Sequence, residues 1–424
     1  MSEILILSRE FPKRVRVELH RELYRLFDEK QVTNSYGLET EYFNTIRMND
    51  CLVQSRTKAV SVVPFVYKEV DIGDEEPMRC AINGIWLWKD HEVPMALLFA
   101  ACGNPPHNPK GLVIDIAVPK NSDAVAEAER LLKQLEQAVK KCASYRHKVL
   151  SLEQQDYDYS GEASEIMVHQ LRQVAREQLV LPEKTVALLE RNVFRFAKRR
   201  KELRALGLQT KKGLLFYGPP GTGKTHTLHY LIGKLREEYT TILITAEQVG
   251  YLDEYFAIAR LLEPVIVIIE DVDIIGRNRD EMSVCTESLL NKLLNEMDGL
   301  KEDADILFLL TTNRPESLED ALKNRPGRID QAIEFPLPDD SGREKLVRLY
   351  ACGLELSPEL TARLVTQTKG ASAAFIKELL RRSAQFLLER DPQCRCLEHS
   401  DTEKAIDELL HAGLFRAMTI GDTP

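Results

Sequence analysis

Residues 218–225 read Gly-Pro-Pro-Gly-Thr-Gly-Lys-Thr, with an apolar run, Leu214 to Tyr217, before them and a helix-like run, Thr225 to Leu235, after them. The order G-x-x-x-x-G-K-[ST] between a strand and a helix is that of a phosphate-binding loop. Gly218, Gly221 and Gly223 let the backbone curl until its N–H groups converge on phosphate oxygens, with Pro219, Pro220 and Thr222 filling the turn between them. The positive end of the following helix adds to this anion site. Lys224 then reaches the outer phosphates, Thr225 offers a hydroxyl to Mg²⁺, and His226 closes the set. The chemistry expected is binding and hydrolysis of a nucleoside triphosphate.

A second cluster follows the apolar run Val265 to Ile269: Glu270, Asp271, Val272, Asp273. Two carboxylates at the end of a buried strand suit a Mg²⁺ shell and a water-polarising base. The next apolar run, Ile306 to Leu310, delivers Thr311, Thr312, Asn313 and Arg314, and the Asn is placed to orient water or touch the outer phosphate. Arg325 and Arg328 flank Pro326-Gly327, two guanidiniums on a rigid turn suited to charge on a transferring phosphoryl group.

These groups require a frame that brings strand ends together. From Gly213 onward apolar strands alternate with helices: 213–217, 241–245, 265–269, 306–311 and 332–335 as strands, 225–238, 252–262 and 286–297 as helices. Such alternation builds a parallel sheet covered by helices on both faces. After Pro336-Leu337-Pro338 the chain reads as helices at 341–352, 358–369, 373–389 and 400–410. Residues 1–160 mix an amphipathic helix at 15–28, strands at 59–67, 84–88, 95–101 and 112–118, a helix at 123–145 opened by Asn121-Ser122-Asp123, and a strand at 146–152. The fold class expected is α/β: a P-loop core at 161–338 and a helical lid at 339–424, preceded by an α+β domain at 1–160. The polar stretch 155–163 is the expected linker.

Taken in order, GPPGTGKT at 218, IIEDVD at 268, LLNEMDGL at 293, TTNRP at 311 and NRPGRID at 324 resemble an AAA+ ATPase of the AAA clade. The resemblance covers residues from about 165 to the end. It implies ATP and Mg²⁺ as cofactors, Lys224 and Thr225 on phosphate and metal, Glu270 on the metal side and Asp271 polarising water. It implies Asn313 as the sensor residue and Arg325 and Arg328 as fingers reaching the ATP of a neighbouring subunit. Gly370 and Ala371 match a small-residue turn of the lid near adenine and ribose, and Asp298-Gly299-Leu300 a relay between subunits. Fingers acting in trans imply a homo-oligomeric ring, a hexamer, or a heptamer as in one branch of the family.

Three departures stand out. The strand-end pair reads Glu270-Asp271 where most of the family has Asp-Glu, so the shorter acid needs a closer water or a shifted backbone. One extra residue separates Leu322 from Arg325. The segment after Thr245 is short, leaving Val249-Gly250-Tyr251 as a reduced pore contact or a plain turn. A short segment and a Glu-Asp pair together resemble the branch of the mitochondrial Rieske-protein chaperone, thought to pass folded clients through a wide ring.

The remaining composition narrows the field. The chain has 424 residues, 44% hydrophobic and 29% charged, and a net charge of -9, which argues against a general affinity for nucleic acid. No apolar run is long enough for a bilayer and no secretory signal is visible, so a reducing cytoplasm is expected. Eight cysteines lack a framework spacing, and Cys394 and Cys396 read as two reduced loop thiols. Arg195 to Lys201 is a basic stretch expected to be a solvated helix face or a subunit contact, and Trp86 and Trp88 share a strand face expected in the core. The function expected is remodelling or chaperoning of protein clients driven by ATP. The alternatives are an unfoldase feeding a separate protease, since no H-E-x-x-H occurs, and a nucleotide-gated scaffold.

Overall fold

The computed structural model describes residues 4–30, 32–40, 45–53, 59–90, 92–102, 111–152, 166–245, 248, 251–273, 293, 295, 297–299, 304–315 and 329–411. The chain divides into two compact units, Met1–Gln170 and Leu171–Pro424.

In the first unit a six-stranded antiparallel sheet runs in the order β1-β8-β7-β6-β2-β3. Its strands are β1 (Ile4–Pro12), β2 (Val32–Thr40), β3 (Val60–Val63), β6 (Gly84–Asp90), β7 (Val93–Cys102) and β8 (Gly111–Pro119), with β4 (Tyr67–Val70) and β5 (Met78–Ala81) paired beside it. Helix α1 (Arg16–Glu29) buries Val17, Leu19, Leu23 and Leu26, the face its apolar spacing marks. Helix α3 (Ser122–Lys141) starts at Asn121, whose side chain accepts from the Ala124 N–H at 2.7 Å. It ends before Tyr145, because Cys142 turns into the left-handed region at φ 41°.

The single strand expected over 59–67 breaks at Pro64, and Tyr67 begins β4 instead, paired with β5. Strands β1, β2 and β5 carry no clear alternation and were not expected. β2 in particular reads Val-Thr-Asn-Ser-Tyr-Gly-Leu-Glu-Thr, with only Gly37 and Leu38 buried, so its apolar signal is thin. Trp86 and Trp88 are core residues, with Phe27 stacked on Trp86 at 5.1 Å. Strand β9 (Val149–Leu152) pairs antiparallel with β10 (Ile166–His169). The expected linker 155–163 lies outside the described residues.

His20 on α1 is fully buried, its Nε2 against the Ala81 carbonyl at 3.0 Å and its ring edge-on to Phe99. Burial, helped by the Arg16 charge, pushes its pKa down to about 3. Below pH 6.5 the unfolded chain takes a proton that the fold refuses, so stability is lost as pH falls from 6.5 toward 3. The expected slope is about 1.4 kcal/mol per pH unit. Thermal unfolding of His20→Gln, followed against pH, should lack that slope; an unchanged slope would assign it elsewhere.

In the second unit five parallel strands run in the order β12-β13-β14-β11-β15: β11 (Lys212–Tyr217), β12 (Thr240–Ile244), β13 (Val265–Ile269), β14 (Ile306–Thr312) and β15 (Gln331–Glu334). Every residue of β13 and β14 is buried, which is why both read as continuous apolar runs. Non-consecutive neighbours place the carboxyl ends of β11, β13 and β14 side by side, the crevice where ligands bind in open parallel sheets. The mixed α/β fold with a parallel core and an α+β unit ahead of it agrees with the class expected from sequence. The C-terminal helices Asp340–Tyr350, Pro358–Gln367, Ala373–Arg390 and His399–His411 share a core of Leu346, Val347, Leu364, Phe375, Ile376 and Leu380.

Of the basic stretch, Arg200 turns inward. It pairs with Glu238 at 2.5 Å and Asp305 at 3.3 Å and lies over the Tyr239 ring. That removes its charge from any surface patch. Cys394 and Cys396 form no metal cluster among the described residues; the Cys396 thiol donates to Glu355 at 2.9 Å.

Candidate nucleotide site

The loop after β11 is held by glycines where no other residue fits. Gly218 has φ 145°, and a Cβ there would lie 2.2 Å from the Phe335 carbonyl oxygen. Gly221 has φ 75°, and a Cβ there would meet Ser372 Oγ and the Ala374 Cβ at 2.8 Å. Helix α6 (Lys224–Leu235) starts on Gly223 at φ 99°, and Thr222 Oγ1 donates to Pro219 O at 2.9 Å to brace the turn.

Lys224 is buried. Its Nζ donates to Gly218 O at 2.7 Å, Pro219 O at 3.0 Å and Asn313 Oδ1 at 2.7 Å. Burial pulls its pKa down to about 8, against the attraction of Asp271 and Asp273. Thr225 Oγ1 donates to Glu270 Oε2 at 2.8 Å. A hydroxyl and a carboxylate oxygen at hydrogen-bond distance are a hard-oxygen pair of the kind Mg²⁺ takes.

Asp271 sits at the end of β13 with φ 49°, in the left-handed region. Its N–H donates to Thr311 Oγ1 and the next N–H, of Val272, to Thr311 O, both at 2.9 Å. Its Oδ1 accepts from Asn313 Nδ2 at 3.1 Å. A strained backbone held by neighbouring strands is common where a carboxylate must be aimed.

Asn313 is itself fixed. Asp273 Oδ1 accepts from the Asn313 N–H at 3.1 Å and from Thr312 Oγ1 at 2.9 Å. Thus Lys224, Asn313 and Asp271 form one hydrogen-bonded chain, with Asp273 and Thr311 as its outer supports. Asp273, Thr311 and Thr312 have no role assigned from sequence alone. The signal was present in their positions, paired polar residues at the ends of two neighbouring buried strands.

Beyond the loop lies a cavity of about 1100 Å³. Its walls include Pro220 to His226, Asp271 and Asn313 from the loop and strand ends, Gln178 to Leu181 from the segment before the core, and Leu346, Tyr350, Ala373 and Ala374 from the C-terminal helices. Gly370 and Ala371 do not line it. They form the turn before Ala373, with Gly370 at φ 77°, and the lining falls to the two alanines that follow. Ala374 N–H donates to Gly221 O at 3.1 Å, joining the C-terminal helix to the loop. Arg325, Arg328, Leu300, Val249 and Gly250 lie outside the described residues.

Residues 214–337 match the family described as "ATPase family associated with various cellular activities (AAA)". The chain carries an AAA ATPase domain. It is 34% identical over 234 residues to ATP-dependent zinc metalloprotease FtsH 2 of Symbiobacterium thermophilum, covering 52% of this chain and 39% of that protein. It is 33% identical over 236 residues to the FtsH protein of Thermus thermophilus, covering 52% of this chain and 37% of that one. With the proteasome-activating nucleotidase of Methanothermobacter thermautotrophicus it shares 29% identity over 267 residues, 60% of each chain. The chain therefore spans less than two thirds of the length of each of these relatives. The AAA match contains the glycine loop, the Glu270-Asp271 pair, Asn313 and both Arg325 and Arg328. Among the described residues no helix is long and apolar enough to cross a membrane.

Proposed function

We propose that the chain is a Mg²⁺-dependent ATPase that works as a ring of identical copies to remodel or chaperone protein clients. The observation that carries the ATPase reading is the hydrogen-bonded chain Lys224–Asn313–Asp271 at the mouth of a glycine loop, with Thr225 and Glu270 together beside it. A bound Mg²⁺–ATP would supply the electrophilic phosphorus, its charge neutralised by the metal. Thr225 and Glu270 are the oxygen donors for the ion, Lys224 the cation for the outer phosphates, and Asp271 the base for the attacking water. Asn313 touches both Lys224 and Asp271, so it can register the outer phosphate and the base together. The cavity walled by Gln178–Leu181, Leu346 and Tyr350 has the apolar character an adenine face wants.

The ring reading rests on Arg325 and Arg328, fingers aimed at a neighbour's nucleotide by resemblance to the clade. The client reading rests on the relatives' named roles and on the short segment after Thr245, which favours the wide-ring style of the Rieske-protein chaperone branch over threading. Gly370 and Ala371, by this reading, shape the turn near the ribose. Cytoplasmic location follows from the same set of expectations.

Phosphate release from ATP tests both parts. Activity should vanish when Mg²⁺ is chelated. Specific activity should rise with chain concentration to a plateau, because each site borrows arginines from its neighbour. Activity independent of concentration well into the nanomolar range, with the chain monomeric, would overturn the trans-acting assembly.

A further inference from the structure

Two cations of the cavity wall have no place in the chemistry described so far. Arg172 lies on the segment leading to Gln178, and Lys377 lies one turn into the helix Ala373–Arg390. Both line the cavity, and among the described residues neither makes a hydrogen bond or ion pair. A third wall cation, Arg381, is committed to Glu378 at 2.7 Å.

The position of the pair is set by two contacts. The Ala374 N–H bond to Gly221 O anchors the first turn of Lys377's helix on the phosphate loop. His226, two residues past Lys224, approaches the Gln178 carbonyl through Nε2 at 3.3 Å, which ties α6 to the segment bearing Arg172. The exposed His226 ring lies close enough to Arg172 and Lys377 for both charges to act on it.

Lys224, by contrast, is directed to Asn313 and the Asp271 side of the loop. A triphosphate laid along the loop with its outer phosphate at Lys224 brings the phosphate next to the ribose toward His226. We propose that Arg172 and Lys377 clamp that innermost phosphate, one from the segment before the core and one from the C-terminal helices. The inference rests on the nucleotide reading of the cavity. It makes the two residues determinants of affinity for any nucleoside phosphate, diphosphate and monophosphate included, since the contact does not need the outer phosphate.

The test is equilibrium binding of fluorescent ADP, with AMP and adenosine as competitors, to the full chain and to Arg172→Ala, Lys377→Ala and the double variant. Both side chains are exposed, so their unfolding temperatures should match the unaltered chain. The double variant should bind ADP and AMP about tenfold more weakly, the range of charge-assisted contacts at a partly open site. Adenosine affinity should not move. Equal ADP affinity in the double variant and the unaltered chain overturns this inference alone, as does an equal loss for adenosine, which would mark a wall defect. An unaltered chain that binds no nucleotide overturns the nucleotide reading and this inference with it.

Discussion

Lys224→Ala should abolish ATP binding, with an affinity loss of at least about 100-fold, while the domain stays folded. The magnitude follows from removing a buried, charge-assisted donor from a site with low solvent screening. The fold should survive because the amine is itself costly to bury, as its lowered pKa of about 8 records. What remains after truncation is two loop carbonyls and the Asn313 amide oxygen without their donor. The same lysine leaves a pH signature in the unaltered chain. Phosphate next to Nζ favours the charged form, so nucleotide binding between pH 8 and 9 should take up part of a proton. Affinity should then fall as pH rises through 8. Calorimetry in two buffers of different protonation enthalpy measures the uptake directly; zero uptake would mean that Lys224 does not meet the phosphate.

Asp271→Asn should leave ATP binding within a few-fold of the unaltered chain and lower turnover by about 100-fold or more, the usual worth of a positioned general base. The amide keeps the shape and the contact with Asn313 but accepts no proton. Turnover at the unaltered rate would move the base to Glu270 and leave Asp271 as a metal-side acid. The roles are separable because the two carboxylates are held by different partners, Glu270 by Thr225 on the loop and Asp271 by Asn313 and Thr311 on β14.

The parallel-sheet unit was legible because its signals are local. A parallel strand buried on both faces must be written as an unbroken apolar run, and Val265–Ile269 and Ile306–Leu310 are such runs. Glycines at Gly218 and Gly221 mark places where a side chain would strike Phe335 or Ser372, so the loop announced itself. What stayed hidden was the support beneath the site. Asp273 and Thr312 meet across 39 residues of sequence, and only strand pairing makes them neighbours. Which residues of the C-terminal turn line the cavity stayed hidden for a related reason. A run of small residues, Gly370 to Ala374, shows that a turn packs closely, but helix phase decides which of them faces the cavity.

The first unit was less legible. Its antiparallel strands depend on partners far along the chain, and β1 pairs with β8 across more than a hundred residues, Ile4 opposite Pro119. Where one face of a strand is polar and the strand lies near an edge, as in β2 and β3, side-chain burial leaves too weak a pattern to read.

The bond from the Ala374 N–H to Gly221 O has a mechanical consequence. It is a main-chain link, so side-chain changes can crowd it but cannot delete it; of the coded residues only proline at position 374 would. If the phosphate loop shifted, the helix it anchors would follow as the far arm of a lever pivoted at Gly221. An adjustment of a few tenths of an ångström at Gly221 would be magnified along the 18 residues of Ala373–Arg390, turning a local event at a phosphate into a displacement at the rim of the domain.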